Sequence, residues 1–426
     1  MTIEMQNLDR NTARDAWGKF CEKGTATRQA ARLLHVGLQD YLDIFARKYL
    51  GAEGTGESCK LVLGSNGEGK THLLYCLRER ALQSGHLVAM VEAKSVGAGI
   101  SPFIFGQELL LRLESPGSLV SPLDDENNLI RVLRESVERK REVLLSEGLD
   151  PDDLLPEWAD AMRTKNLLPM ELASALADGL QAAVRRDVEG LLDAVRRMTF
   201  EKVKLSKDQQ QVQGANLLKS IVLIPRLLGF LPLVLLIDEA EMAVEKAGSN
   251  RRRAFLGFLR FVNDHMVRGD GSSSVVVIAC TDDFWPGQFA EYTALKGRLS
   301  DPGYDSIESR LSLTHKALVN KNKLWVRETF RGRMEDYVTL GEGLVRIGSK
   351  ALGGVDEGVQ RCNVEILGRI ASSSEVAPFI KRPFVKALAQ LIQDQVGDDA
   401  QRILTENEAR SKFDLAAKEI VEEGED

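Results

Sequence analysis

The chain has 426 residues, of which 43% are hydrophobic and 28% charged, with a formal net charge of −7 and a pI near 5.6. This composition is typical of a globular protein of two or three domains and excludes a generally basic nucleic-acid binder. The five cysteines are scattered without a C-x-x-C pair, which argues against a disulfide framework or a zinc site and favours a reducing cytoplasm. The N-terminus has no signal-peptide pattern, and the most apolar stretch, 221–237, is interrupted by two prolines and an arginine, so we expect no membrane span.

Residues 1 to about 55 are predicted to be helical. An apolar stripe at helical spacing runs from Ala30 to Phe45 and is broken near Gly37. The glycine-rich segment 51–56 is predicted as a loop that leads into a first strand at 60–63.

The residues after this strand fit the pattern G-x-x-x-x-G-K-[ST], which wraps the phosphates of a nucleotide. Glycines allow a tight turn whose N–H groups point inward, the lysine reaches the β- and γ-phosphates, and the Thr71 hydroxyl binds Mg²⁺. A helical pattern follows from Thr71 to Leu82, which supplies the strand, loop and helix that the motif requires. The predicted nucleotide-binding residues are Gly64, Ser65, Asn66, Gly67, Glu68, Gly69, Lys70, Thr71 and His72, the last expected to pack under the loop.

A second strand is predicted at 87–92, and the stretch from about 100 to 215 then breaks the alternation of strands and helices. It is helical in pattern and rich in charge, with long amphipathic candidates at 129–145 and 172–198. We predict a helical insertion here, followed by a helix at about 214–228.

A continuously apolar run at 233–237 predicts a strand buried on both faces of a parallel sheet. It is followed by Asp238, Glu239, Ala240 and Glu241, and ligands bind at the carboxyl ends of such strands. Asp238 is predicted to hold Mg²⁺, and Glu239 to orient and deprotonate the attacking water. The alternative is an acidic turn that merely closes the strand.

Further along, a helix is predicted at about 250–266 and a strand at 274–280. Thr281 closes that strand and, if the strand lies beside the Asp238 strand, could hold the attacking water or sense the γ-phosphate. The alternative for Thr281 and the neighbouring Asp282 is an ordinary strand-end turn.

Several arginines are candidates for stabilising transition-state charge. Arg310 is the main candidate for an arginine supplied to a neighbouring subunit, with Arg298 as its competitor, and a surface salt bridge is the alternative for both. Arg382 stands before Pro383 at the start of a predicted lid helix and could reach over the nucleotide; the alternative is a solvated cation.

Two basic segments remain open. The cluster 251–253 suits an anionic partner or a solvated face. The segment 321–333 interleaves cations with aromatics, which is one way to hold single strands, but an amphipathic helix that packs Trp325 and Phe330 inward explains the same pattern.

Taken together, these motifs resemble an AAA+ type ATPase, and most of all the ATP-binding proteins of BREX-type bacterial phage-defence systems. The resemblance rests on 64–72 with two following leucines, on 227–241, and on Lys381-Arg382-Pro383-Phe384; the stretch 309–311 is similar to the arginine-finger region of initiator-like AAA+ proteins. It implies a cytoplasmic ATPase of a defence operon, with ATP and Mg²⁺ as ligands and a helicase or a DNA-modifying protein as neighbour.

The expected fold is therefore an α/β P-loop NTPase core at 56–314 with a parallel sheet and a helical insertion. An N-terminal helical region at 1–55 precedes it, and a mainly helical lid at 315–426 follows. The expected function is ATP hydrolysis by a homo-oligomer that acts with DNA or a DNA-processing partner. A slowly hydrolysing regulatory switch or scaffold and a replication-type helicase loader are the alternatives.

Overall fold

The structure is a computed structural model in which helices surround a mostly parallel sheet, so the protein is of mixed α/β class as the sequence predicts. Within the part of the chain that it describes, no helix combines the length and the apolarity that crossing a membrane requires. The described residues are 9–27, 30–34, 36–50, 58–65, 67–93, 102–119, 127–164, 168–201, 206–242, 266, 274–281, 323–325, 332–374 and 381–423.

Helices and strands alternate at the start of the chain and give way to helices after residue 100. The elements of this part are α1 (Arg10–Lys23), α2 (Gln39–Tyr49), β1 (Ser58–Leu63), α3 (Lys70–Gln83), β2 (His86–Glu92), α4 (Pro102–Leu111), β3 (Leu113–Glu114), α5 (Asn128–Ser146), α6 (Pro151–Asp160), α7 (Met170–Arg185) and α8 (Val188–Met198).

The remaining part contains a long helix, three strands and a group of helices at the C-terminal end. Its elements are α9 (Lys207–Leu227), β4 (Leu231–Asp238), β5 (Val275–Cys280), β6 (Lys323–Trp325), α10 (Met334–Leu352), α11 (Glu357–Ser372), α12 (Arg382–Gly397) and α13 (Glu406–Glu423).

Six strands of the described residues form one sheet, in the order β3-β2-β4-β5-β1-β6. β2 pairs with β4 and β4 with β5 in parallel, while the short β3 lies antiparallel to β2. β4 and β5 are buried almost throughout, as expected of central strands covered on both faces. In β3, Glu114 is buried and accepts two hydrogen bonds from Arg78 Nε, at 2.9 and 3.0 Å.

The chain divides into two compact units, each built from separated segments. Unit 1 contains 1–43, 63–77 and 324–426, and unit 2 contains 44–62 and 78–323. The boundary passes through β1 just before its last residue, so that the predicted phosphate loop belongs to unit 1. The strands β2 to β5 belong to unit 2.

Unit 1 has a core in which the N-terminal helix α1 packs with the C-terminal helices. Its aromatic side chains include Trp17 and Phe20 of α1, together with Tyr337 and Phe384, whose ring centroids are 5.0 Å apart. A Cβ built on Gly348 would lie 2.7 Å from the Trp17 ring, so α10 approaches α1 at a position where only glycine fits.

The helical insertion in unit 2 is held by an apolar core and by a network of charges. Asp178 on α7 accepts a hydrogen bond from Arg197 on α8 at 2.6 Å and another from Arg163. Arg163 also binds Asp160 at 2.8 Å. Partial burial opposes ionisation of Asp178, but the two guanidinium groups outweigh it and lower the pKa of this carboxyl group.

Most predicted elements are found within a few residues of their expected bounds, but three predictions need correction. The helix predicted at about 214–228 begins earlier, at Lys207. The amphipathic run 172–198 is two helices rather than one, because Arg186 takes a left-handed conformation with φ of 57° and Asp187 caps the next helix. The short strand β3 lies within the stretch expected to be helical. The helix expected at 250–266 lies outside the described residues apart from Met266.

Candidate functional site

The predicted phosphate loop lies between β1 and α3, and α3 begins at Lys70. Gly67 and Gly69 have φ values of 84° and 103°, which glycine adopts without strain. The backbone N–H of Glu68 donates to the Ser65 carbonyl at 3.3 Å, which closes the turn before the helix starts. The strand, turn and helix therefore follow one another in the order that a phosphate loop needs.

The ammonium group of Lys70 is turned back onto this loop. Its Nζ donates to the Gly64 carbonyl at 2.8 Å and to the Ser65 carbonyl at 3.2 Å, and the residue is only 8% exposed. These bonds satisfy a charge that is largely removed from water. A bound phosphate can replace the two neutral carbonyl acceptors with charged oxygens, which form stronger hydrogen bonds.

The Glu68 carboxylate lies close to Gly64, the first residue of the loop. It is buried, and a Cβ built on Gly64 would lie 2.6 Å from Glu68 Oε2, so this approach depends on glycine at position 64. In the first turn of α3, Thr71 is exposed and His72 is half-buried. Asn66, the remaining predicted loop residue, lies outside the described residues.

The second predicted motif stands at the end of β4 in unit 2. Asp238 is buried, and its Oδ1 accepts the backbone N–H of Glu239 at 3.0 Å. Glu239 is half-buried and has a φ of 49°, a left-handed conformation that is rare for a residue other than glycine. Its carbonyl accepts the Met242 N–H at 2.9 Å, which closes a turn over 240–242. Backbone strain of this kind clusters at functional sites, which agrees with a role for Glu239.

The end of β5 lies beside the end of β4. The two strands pair in parallel up to Ile237 and Ile278, which confirms the prediction that the Thr281 strand neighbours the Asp238 strand. Thr281 is half-buried, and its backbone N–H donates to Oε2 of Glu241 at 3.2 Å. The structure thus brings Asp238, Glu239 and Thr281 to one edge of the sheet.

Two further acidic residues at this edge had no role in the sequence analysis. Glu241 contacts Thr281, as described above, and Glu92, the exposed last residue of β2, is paired with Asp238 across the parallel ladder. The repetition of glutamate two residues after Glu239 was the available signal for Glu241. The available signal for Glu92 was its place at the end of a predicted strand.

The predicted lid residue Arg382 begins α12, with Pro383 in the first turn as the sequence predicts. Arg382 is half-buried, and its Nε donates to the carbonyl of Lys23 at the end of α1, at 3.2 Å. To contact a nucleotide, the Arg382 guanidinium must therefore bind it with its other N–H groups or break this hydrogen bond.

The neighbouring Lys381 is part of the segment that carries the family resemblance, but the sequence analysis assigned it no role. Burial lowers the pKa of this lysine to about 8, although the charges of Cys76, Asp336 and Glu68 favour its protonated form. Since Glu68 belongs to the predicted phosphate loop, the charge of Lys381 interacts with a residue of that loop.

Further candidates fall outside the described residues or in a short strand. Arg310, its competitor Arg298 and the basic cluster 251–253 lie outside the described residues. In the segment 321–333, Lys323–Trp325 form the strand β6, so the amphipathic helix considered for Trp325 is wrong. The prediction of single-strand binding by this segment stays a prediction.

The side chains predicted to hold Mg²⁺ are a hydroxyl and a carboxylate. Hard oxygen donors of this kind suit Mg²⁺, which usually takes only one or two protein ligands and completes its shell with water and phosphate oxygens. Among the described residues, no group of three or more His, Cys, Asp or Glu side chains forms a metal site made by the protein alone. The donors therefore fit a metal that arrives with a nucleotide.

Comparisons with family models, with curated proteins and with solved structures found no match for this chain.

Proposed function

We propose that the protein is a Mg²⁺-dependent ATPase of AAA+ type. The observation that carries the proposal is the loop before α3. Gly67 and Gly69 take the left-handed backbone that a phosphate-wrapping turn needs, and Lys70 at the helix start has its ammonium on the loop's own carbonyls. A helix N-terminus that follows a glycine-rich turn offers N–H groups and a favourable dipole to an anion.

The end of β4 supports the hydrolytic part of the proposal. In hydrolysis, the water oxygen bonds to the γ-phosphorus, the bond to the β–γ bridging oxygen breaks, and the water proton passes to a base. Glu239 is the proposed base, because it is a half-buried carboxylate at the carboxyl end of a central parallel strand. Thr281, beside it at the end of β5, is proposed to hold the attacking water.

Thr71 and Asp238 are the residues proposed to hold Mg²⁺. The metal would supply positive charge that neutralises the phosphate oxygens. The backbone N–H of Glu239 donates a hydrogen bond to the Asp238 carboxylate, which orients this carboxylate for the proposed metal.

The proposal extends to the biological setting only through the family resemblance. We propose a cytoplasmic homo-oligomer in bacterial anti-phage defence, with DNA or a helicase-like protein as partner. In such an assembly Arg310 would act on the nucleotide of a neighbouring subunit, and Arg382 would act from the lid. Size measurement with and without a non-hydrolysable ATP analogue tests assembly; a protein that stays monomeric in both refutes the role of Arg310.

Nucleotide binding and phosphate release test the central proposal. We expect Lys70→Ala to abolish ATP binding in calorimetry, and Glu239→Gln to keep binding while lowering turnover about 10²–10⁴-fold, the usual contribution of a general base. Glu147→Gln, at an exposed position after α5, is the matched control and should behave as the unmodified protein.

The outcomes separate the candidate functions. Undiminished ATP binding by Lys70→Ala refutes the proposal. Turnover that DNA stimulates, and that Glu239→Gln abolishes, supports an ATPase that acts with nucleic acid. Tight ATP binding with negligible turnover, with or without DNA, supports the regulatory switch instead. A dependence on a helicase partner favours the loader.

A further inference from the structure

Glu241 links the ends of two central strands. It lies in the turn that follows β4, and its Oε2 accepts the backbone N–H of Thr281, the first residue after β5, at 3.2 Å. The parallel ladder has its last pair at Ile237 and Ile278, so this bond lies beyond the region that the ladder itself fixes. A carboxylate acceptor makes the bond stronger than one between neutral groups.

The two glutamates of the motif are engaged in different ways. The backbone of Glu239 is bound to Asp238 through its N–H, and its φ of 49° sets the direction in which its side chain leaves the strand. The carboxylate of Glu241 is instead directed across to the neighbouring strand. Glu239 is the residue proposed to act on water. Glu241 is engaged differently, because its carboxylate holds the backbone of Thr281.

Fixing the backbone of Thr281 has a consequence for its side chain. The hydroxyl oxygen is attached to Cβ, two bonds from Cα, so for a given side-chain rotamer its position follows the orientation of the peptide that Glu241 holds. A shift of about 1 Å in a positioning group can lower turnover about 10²-fold.

We propose that Glu241 is a positioning residue, which sets the place of the Thr281 hydroxyl at the edge of the sheet and thereby the rate of ATP turnover. This inference rests on the proposed ATPase function. It predicts that loss of the carboxylate slows turnover and leaves nucleotide binding intact, because neither the loop residues nor Asp238 depends on this bond.

Three variants test the inference in the full-length protein. We expect Glu241→Ala to lower kcat about 10–100-fold with ATP affinity changed less than about 3-fold. Glu241→Gln should recover most of the turnover, because an amide oxygen also accepts an N–H. In the Thr281→Ala background, Glu241→Ala should cause little further loss, since both changes act through the same hydroxyl.

The hydrogen bond has a readout that does not need activity. Without nucleotide, amide hydrogen exchange at Thr281 should be at least about 10-fold faster in Glu241→Ala than in the unmodified protein, and slow in Glu241→Gln, because the bond protects this N–H. Thermal unfolding of each variant establishes that it is folded, and Glu241→Gln and Thr281→Ala still decide the matter if Glu241→Ala does not fold.

The inference is overturned if Thr281 exchange is unchanged in Glu241→Ala, or if the two substitutions are additive in kcat. It is equally overturned if Glu241→Gln is as inactive as Glu239→Gln, because Glu241 would then itself take part in the chemistry. An unmodified protein that neither binds nor hydrolyses ATP refutes the proposed function and with it the effect on turnover. Thr281 exchange would still decide whether Glu241 holds this peptide.

Discussion

The backbone of Glu239 is strained, so a substitution that relieves the strain should raise stability while it lowers activity. A left-handed φ such as its 49° costs a non-glycine residue about 1–2 kcal/mol, whereas the greater freedom of glycine in the unfolded chain costs about 0.5–1 kcal/mol. We expect Glu239→Gly to raise the free energy of unfolding by about 0.5–1 kcal/mol and to lower ATP turnover about 10²–10⁴-fold. Chemical denaturation and phosphate release on the same preparation measure the two effects.

Arg186 provides the matched control for this prediction. It is exposed, has a φ of 57°, and caps α7 within the helical insertion. Arg186→Gly should raise the free energy of unfolding by a similar amount and leave turnover unchanged. A less stable Glu239→Gly protein contradicts the strain argument, and a Glu239→Gly protein with full turnover contradicts the proposed base.

Lys381 makes stability depend on pH in the alkaline range. Burial lowers its pKa from 10.5 to about 8 despite the opposing charges of Cys76, Asp336 and Glu68. Between these values the unfolded chain binds a proton that the folded chain does not, so this side chain's contribution to stability falls as the pH drops from 10.5 to 8. We expect Lys381→Met to gain stability relative to the unmodified protein as the pH falls through this window.

Urea denaturation at pH 10.5, 9 and 7 measures this difference. Lys19→Met, at an exposed position on α1, is the control, and its stability relative to the unmodified protein should stay constant across the same pH values. The explanation fails if the advantage of Lys381→Met is the same at every pH or is larger at pH 10.5.

At the scale of single residues, the sequence predicts which residues form a motif better than it predicts which residues bind each other. Lys70 and Asp238 could be named as candidates because their motifs fix residue type and spacing. The bonds from Arg382 to Lys23 and from Thr281 to Glu241 join residues far apart in the chain, and no local pattern reports such pairs. The left-handed φ of Glu239 could not be predicted from the sequence either, because glutamate does not favour this conformation.

At the scale of elements, α4 and α9 cross at glycines. A Cβ built on Gly214 of α9 would lie 2.2 Å from the backbone N of Phe103, and one on Gly106 would lie 2.6 Å from Leu217 Cδ2. Backbone atoms cannot yield as a flexible side chain does, so Gly214→Ala should lower the free energy of unfolding by about 1–3 kcal/mol, the usual cost of overpacking.

The matched control is Gly18→Ala in α1, where an added Cβ meets nothing within 4 Å. Because alanine is the better helix former, this substitution should raise the free energy of unfolding by up to about 1 kcal/mol. Urea midpoints of the two variants are therefore expected to move in opposite directions. A neutral or stabilising Gly214→Ala contradicts the close helix crossing.

The apolar pattern predicts the strands and long helices because burial imposes the same period on sequence and structure. The apolar pattern predicts a single helix that is too long where the pattern continues across a break in the backbone, as at Arg186 between α7 and α8. It also fails for β3, which has only two residues; Glu114 there pairs with Arg78 in the distant helix α3. Two residues are too few to show a period of two.

At the scale of the whole molecule, each unit is assembled from distant parts of the chain. The sequence predicts a helical region at 1–55, but it does not reveal that Trp17 of α1 packs against α10 at Gly348. The sequence therefore predicts helical regions at both ends of the chain and a phosphate loop, without predicting that the three belong to one unit.

Hydrogen exchange with and without nucleotide tests the two predicted motifs, around Lys70 and around Asp238, in one experiment. At an ATP concentration of about 100 times Kd, binding suppresses local opening about 100-fold. We therefore expect Mg-ATP to slow hydrogen exchange in peptides 64–77 and 232–242 of the unmodified protein, and in neither peptide of Lys70→Ala. Asp238→Ala should keep the first effect and lose the second. Protection of 64–77 alone in the unmodified protein would leave nucleotide binding in place and remove the proposed role of Asp238 and Glu239 in hydrolysis.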